Sequence, residues 1–525
     1  MNKTESWLCV TCARVRDVKT LVLLTVMLLV GTRMFAEQNA VTPSVDIHGP
    51  HAVGLKVVYQ YDYSRNFRFS TDVLGQPFLG ERARPIQTLV WYPAQKADAK
   101  PMTVADYLHL VTSDARYEKL DAEKEEASLQ KSMASTLADP MWAVRDAPLE
   151  AGRYPVIIYG PGMDDDAWEN ASLCEYLASY GYVVIASPST AVQGRYMDGG
   201  VLPVNMLARD ITFLLDYAQT LPNADPSQTV VAGYSYGGLA GLFAAARDSR
   251  IKALVGIDGT LRYAPEVVKH AGDVHPEQMS IPLIFFGGHQ RPDPAGDLQG
   301  EQGTENALYA WKHGDVTVAW MLQMKHGNFP SLEHHDAPAA GDVHSHEEEI
   351  ILSRAWIERY TLEFLDAHLK QDPAGLAFLK KTSEENGVPA SVMRLTSRAA
   401  QGAAPTLDGF RAELGRRGFE QAPEVYTEMH AEYPAFKLEE SRLLNSWVYA
   451  LIERAPAAAL GLLKAYELAC PNSREVYYLF GQAYEKAGQK PQAMDSYKRA
   501  IKIEPDFHPA QQKLMALEGN TASAQ

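Results

Sequence analysis

The chain has 525 residues, more than one ordinary hydrophobic core sustains, so two domains are expected. Hydrophobic residues make up 46% and charged residues 22%, a globular composition that leaves no room for wholesale disorder. With 49 basic against 65 acidic side chains, the formal net charge of -16 argues against nucleic acid or an anionic membrane as the main partner.

At the amino terminus Lys3, Arg14, Arg16 and Lys19 precede the apolar run LVLLTVMLLV, Leu21 to Val30, and Ala36 offers a small-residue cleavage point before Glu37. That order predicts a secretory signal over residues 1–36. The run falls well short of the ~20 residues that span a bilayer. Arg33 and Met34 keep an uncleaved anchor as the alternative, and on either reading the body is exported, periplasmic or secreted. Cys9 and Cys12 would leave with the leader, so their C-x-x-C spacing is not a redox or zinc site in the mature protein. Cys174 and Cys470 fall in different expected domains, and no disulfide between them is expected.

From about residue 55 to 370, β-branched runs read as strands: Val57 to Tyr63, Gln87 to Pro93, Pro155 to Gly160, Tyr182 to Ala186, Thr229 to Gly233, Ile251 to Ile257, Pro282 to Gly288 and Val316 to Leu322. Helix-length segments such as Asn205 to Leu221 separate the later ones. The alternation predicts an α/β domain over residues 45–380, a mostly parallel eight-stranded sheet flanked by helices, with ligands beyond the carboxyl ends of its strands. Residues 101–150 interrupt it with a charged, helix-prone segment, either a cap inserted over the site or a surface helix pair; the second is preferred. Residues 382–405, rich in Ser, Gly and Ala, are the expected linker.

After residue 370 the strand signal disappears, and residues 406–518 are expected to be all-α. Tyr477, Gly481, Tyr484, Gly488, Ala493, Tyr497, Ala500 and Pro505 stand at the offsets of a tetratricopeptide repeat. Tyr449, Ala458, Leu462, Ala465 and Pro471 repeat part of that pattern, and Gly418, Ala422, Tyr426 and Pro434 do so more faintly. One such unit cannot bury its apolar face alone, so an all-α array of repeats is expected.

The chemistry gathers around Gly233-Tyr234-Ser235-Tyr236-Gly237. A G-x-S-x-G pentapeptide between a strand and a helix is a nucleophile elbow, where the serine takes a strained conformation and only glycine fits two residues either side. A serine hydroxyl needs a base, and the base needs an orienting carboxylate. His326, in the loop after the last strand, is the expected base; His313, His334, His335, His344 and His346 are worse placed. Asp258 at a strand end and Asp293 in a later loop compete for the acid, and Asp258 is preferred because a strand end holds a carboxylate rigidly. The oxyanion of the tetrahedral intermediate calls for two backbone N–H donors, expected from Tyr236 and from Met163 in the turn GPGMDDD. Asp164, Asp165 and Asp166 are read as a solvated turn. This chemistry requires no metal and no cofactor, and the His- and Glu-rich stretch His334 to Glu349 is read as an exposed loop leading into a helix.

These motifs resemble the α/β-hydrolase superfamily, in particular the branch of plasma-type platelet-activating-factor acetylhydrolases and dienelactone-hydrolase-like esterases. The resemblance covers about residues 80–370 and includes the stretch His326, Asn328, Phe329. It implies that the acid follows the strand after the elbow, which favours Asp258, and that the substrate is a small-molecule carboxylic ester. Gly160-Pro161-Gly162 departs from the His-Gly pair common at the oxyanion turn of that branch and weakens any inference about substrate. The expected activity is therefore an exported serine hydrolase. A thioesterase or peptidase with the same triad is the alternative within catalysis, and a repeat-based scaffold with an inert hydrolase domain is the alternative outside it. The repeats are expected to take a protein or peptide partner or to self-associate.

Overall fold

A computed structural model describes residues 48–72, 74–194, 196–289, 298, 306–332, 345–434, 436–438 and 442–522. The expected signal segment and Asp293 lie outside the described residues. By internal contacts the chain divides into two compact units, the second comprising His275–Ile281, Tyr309–Asp315 and Arg398–Gln525.

The first unit is built on a ten-stranded sheet of β1 Ala52–Asn66, β2 Ala83–Ala94, β3 Ala143–Arg145, β4 Tyr154–Gly160, β5 Val183–Ala186, β6 Ala224–Tyr234, β7 Ile251–Ile257, β8 Leu283–Gly288, β9 Val316–Met321 and β10 Met393–Arg398. Their spatial order is β10-β9-β8-β7-β6-β4-β5-β2-β1-β3. Strands β4 to β9 pair in parallel, whereas β2 runs antiparallel to both β1 and β5. The centre of such a sheet is covered on both faces, and the burial follows: every residue of β2 and β5 is buried, as are residues 156–160 of β4 and 230–234 of β6.

Chain order reverses between β4 and β6, whose ends pair through Gly160 and Gly233. That is the topological switch point, where the loops leaving two adjacent strands diverge and open a crevice. Helices α1 Ala171–Ser179, α2 Val201–Ala218, α3 Tyr236–Arg247 and α4 Ser345–His368 belong to this unit. The buried residues of α3 include Gly237, Gly238, Ala240, Gly241 and Ala244, and a Cβ on Gly241 would meet Leu254 and Val231 side chains at 2.9 Å. Small residues there let the helix press onto β6 and β7.

Ten strands replace the eight expected. Strand β3 is only three residues long, too short to display alternation, and pairs with β1. Strand β10, sequence MRLTSR, is a half-exposed edge strand beside β9 whose polar residues mask it, and it occupies part of the expected linker.

Residues 101–150 are tied into the core. Helix Lys119–Ser132 is a surface helix burying only Ala122 and Leu129, but Met102, Val104, Tyr107, Leu108 and Leu110 are buried. Buried Glu175 of α1 lashes them down, accepting hydrogen bonds from Tyr107 Oη at 2.6 Å, Trp142 N at 2.7 Å and Ala143 N at 3.1 Å.

In the second unit, α5 Leu407–Arg417, α6 Ala422–Glu432, α7 Arg442–Arg454, α8 Pro456–Ala469, α9 Arg474–Lys486, α10 Lys490–Ile503 and α11 His508–Ala522 form an all-helical array with its own core. Close packing sets its spacing: a Cβ on Gly481 of α9 would lie 2.2 Å from the Tyr497 ring of α10, and Ala493 and Ala500 of α10 are fully buried. Among the described residues no helix is long and apolar enough to cross a membrane.

Burial pushes the Glu175 carboxyl up to about 7, against the pull of its three donors. A pKa raised by folding gives stability that is whole below the ordinary carboxylate value and is lost as pH rises through about 7. Glu175→Gln is expected to remove that dependence. Urea unfolding of the two proteins across this range should show the wild type losing about 3 kcal/mol relative to the variant.

Candidate active site

The elbow follows from a steric requirement at the end of β6. Ser235 has φ 49° and ψ -118°, outside the regions open to most side chains, and strain of this kind costs ~1–3 kcal/mol. The backbone tolerates it because its neighbours close around it: Ser235 N donates to Ile257 O at 3.0 Å, and Ser235 O accepts from Gly238 N at 3.1 Å and Thr260 N at 2.7 Å. A Cβ on Gly233 would stand 2.4 Å from Gly237 C, and one on Gly237 would stand 2.0 Å from Gly160 O. The two glycines therefore allow the turn after β4 and the turn after β6 to touch backbone to backbone.

Asp258 follows β7 directly. It too has positive φ, 41°, and is 2% exposed. Its Oδ1 accepts from Tyr263 Oη at 2.8 Å and from Gly288 N at 3.1 Å, while its own amide donates to Phe286 O at 2.7 Å. Its Oδ2 lies 2.5 Å from His326 Nδ1. Burial alone would raise the Asp258 pKa, but the hydrogen bonds from His326, Tyr263 and Gly288, together with the His326 charge, outweigh it and hold the group below its ordinary value.

His326 opens a single 3-10 turn, His326–Asn328, after β9. Its Nε2 lies 2.9 Å from Ser235 Oγ. With Nδ1 facing a carboxylate, the matching tautomer carries its proton on Nδ1 and accepts the Ser235 hydroxyl proton at Nε2. The ring stacks on Tyr234 with centroids 5.0 Å apart, and Tyr234 Oη donates to His326 O at 3.0 Å. Ser235, His326 and Asp258, separated by 91 and 68 residues in the chain, thus form one hydrogen-bonded line.

Tyr236 begins α3, and its hydroxyl donates to Gly200 O at 2.5 Å, holding the loop before α2 over the elbow. Met163 is 37% exposed in the turn after β4. The amide of Gly162 beside it donates to Glu169 at 3.1 Å, which leaves the Met163 amide as the next donor along that turn. Asp164 to Asp166 are not the solvated turn expected: Asp164 accepts from Met197 N at 2.9 Å, and Asp166 is paired with the buried guanidinium of Arg116. Arg116 arrives from the inserted segment, so no local pattern announces the pairing.

Sequence reading also missed Tyr234, Tyr263 and Gly288. Tyr234 occupies the first variable place of the G-x-S-x-G motif, which gives it a known location without a known contact. Gly288 ends β8 and supplies a backbone donor to Asp258. Among the described residues no three His, Cys, Asp or Glu side chains gather as a metal-binding group.

A protein-family model described as Chlorophyllase matches residues 113–288, a stretch that includes Met163, Ser235 and Asp258 and ends before His326. No curated protein matches the chain. Among solved structures, ferulic acid esterase from Streptomyces cinnamoneus is similar at 19% identity and a TM-score of 0.47, over 66% of this chain and 96% of that one. The first unit has an α/β-hydrolase-like architecture, a mostly parallel mixed sheet flanked by helices. Parallel strands around the switch point, the serine on the bend after β6 and the helix that follows are the parts of that fold on which the site is built.

The hydrolase elbow makes a direct prediction. Gly237→Ala would drive a methyl group into the carbonyls of Gly160 and Pro161, at 2.0 and 2.4 Å. Such overpacking against backbone is expected to cost about 3 kcal/mol, measurable as a lowered midpoint of chemical unfolding.

Proposed function

We propose that the protein is an exported serine hydrolase that cleaves a carboxylic ester through an acyl-enzyme intermediate. The observation that carries this reading is the line Ser235 Oγ, His326 Nε2, His326 Nδ1, Asp258 Oδ2, with spacings of 2.9 and 2.5 Å. As Ser235 Oγ bonds to the ester carbonyl carbon, its proton passes to Nε2 and the carbonyl electron pair moves onto oxygen. The amides of Met163 and Tyr236 are the donors proposed for that oxyanion. Collapse expels the alcohol, which takes the proton from the imidazolium. Water then repeats the sequence on the acyl-enzyme and releases the acid. Asp258 orients the ring and offsets its transient charge without taking the proton.

The Chlorophyllase family match over residues 113–288 supports ester hydrolysis as the reaction class. Export rests on the basic and apolar pattern of residues 1–36. We read the second unit as tetratricopeptide repeats, on the packing of Gly481 against Tyr497 and the buried Ala493 and Ala500, with a peptide or protein as the partner class.

A fluorophosphonate probe is expected to label Ser235 in the wild type and to leave Ser235→Ala unlabelled. His326→Ala and Asp258→Asn should each lower kcat by roughly 10³- to 10⁴-fold with little change in folding. A folded wild type that never reacts with the probe would overturn the reading. Across p-nitrophenyl esters of increasing acyl length, a sharp drop in kcat/KM beyond propionyl would assign a short-acyl site. A flat profile would assign lipid-like substrates.

A further inference from the structure

An oxyanion donor works only if it already points at the developing charge, because any reorganisation during the reaction subtracts from the stabilisation. A turn after a strand does not hold its amides that firmly by itself. Residues Gly162 to Asp166 are held from both sides by buried charged groups.

On one side stands Glu169, 1% exposed. It accepts from Gly162 N at 3.1 Å through both carboxylate oxygens and from Tyr159 Oη at 2.7 Å. Asn170 Nδ2 steadies that tyrosine at 3.1 Å. On the other side stands Arg116, 5% exposed and contributed by the inserted segment. Its Nε donates to Asp114 Oδ2 at 2.7 Å, one Nη donates to Ser189 O at 2.7 Å, and the other is paired with Asp166. Ser189 N in turn donates to Asp165 O at 2.9 Å. One planar guanidinium therefore joins three segments: the insertion, the turn after β4 and the loop after β5. Burial opposes its charge, but the carboxylates of Asp114 and Asp166 outweigh that and keep it a cation.

Lysine cannot reproduce this arrangement, because its single ammonium has no rigid fork to reach three acceptors in one plane. Met163 lies between the two anchors, one residue after the amide bound by Glu169 and three before the carboxylate bound by Arg116. We propose that Arg116 is a positioning residue for the oxyanion site, so that the inserted segment braces the catalytic centre from beneath the turn that supplies the Met163 amide. This inference rests on the serine-hydrolase reading and deepens it.

The test compares the wild type with Arg116→Lys, Arg116→Met and Asp166→Asn, each shown to be folded by circular dichroism at the assay temperature. Two readouts are taken: kcat and KM on p-nitrophenyl acetate, and Ki for a trifluoromethyl ketone. The ketone accepts Ser235 Oγ at its carbonyl carbon, so that its oxygen becomes an oxyanion as in the reaction. The expected result is a kcat lower by roughly tenfold to a hundredfold, a Ki higher by a similar factor, and KM within about twofold of wild type. Asp166→Asn should fall in the same direction. Arg116→Lys and Asp166→Asn preserve most of the packing and carry the test where Arg116→Met does not fold. Folded variants that lose thermal stability while kcat and Ki stay at wild-type values would overturn the inference alone. A wild type inert to both the ester and the ketone would overturn the hydrolase reading with it.

Discussion

The contact on which the active centre depends is the meeting of two backbones at the switch point of the sheet. Gly237 approaches the carbonyls of Gly160 and Pro161 so closely that no side chain fits between them. This approach sets the turn after β4 against the first residues of α3. The strain at Ser235 is the counterpart. A serine at φ 49° is held there by three backbone hydrogen bonds, one donated to Ile257 O and two accepted from Gly238 N and Thr260 N. Thr260 follows Asp258 by two residues, so the same bonds that hold Ser235 also fix the strand end that carries the carboxylate. Geometry at one member of the line is therefore not independent of geometry at the next.

Around this centre the protein buries charge and satisfies each charge with specific partners. Arg84, the second residue of β2, is fully buried, yet it pairs with Asp210 and donates to the carbonyls of Thr190 and Ala191, which fixes the loop after β5. Glu175 fastens the inserted segment to α1, and Glu169 and Arg116 grip the turn after β4. Each ion would be costly alone in a low-dielectric interior, and each is tolerated because two or more directed hydrogen bonds replace its lost hydration. The result is a set of loops whose positions are dictated by buried polar geometry, where apolar packing alone would leave them freer to slide.

The second unit follows a different logic. Its helices are spaced by the size of the residue at each contact, with glycine and alanine where helices approach and tyrosine where a gap must be filled. The Tyr497 hydroxyl, buried with its ring, finds Glu485 at 2.5 Å, so even the gap-filling aromatic is polar-satisfied at its tip.

Much of this could be read from the amino-acid order. Strand runs, the strand-turn-helix context of the G-x-S-x-G stretch, the histidine after the last long strand and the small-residue spacing of the C-terminal helices are all local patterns, legible because they depend on neighbours within about a dozen positions. Strands β3 and β10 escaped because short, polar or edge strands lack the alternation that a buried strand must have. The companions of the central line escaped for a stronger reason. Tyr234 stacks on an imidazole 92 residues away and Arg116 pairs with a carboxylate 50 residues away, and no spacing rule links such residues. Amino-acid order by itself determined the elements and the chemical character of the serine, the histidine and the strand-end aspartate. Only the tertiary structure decided that they meet, which amide of the turn is already engaged, and which distant charges hold that turn in place, because convergence is set by how the sheet twists and packs.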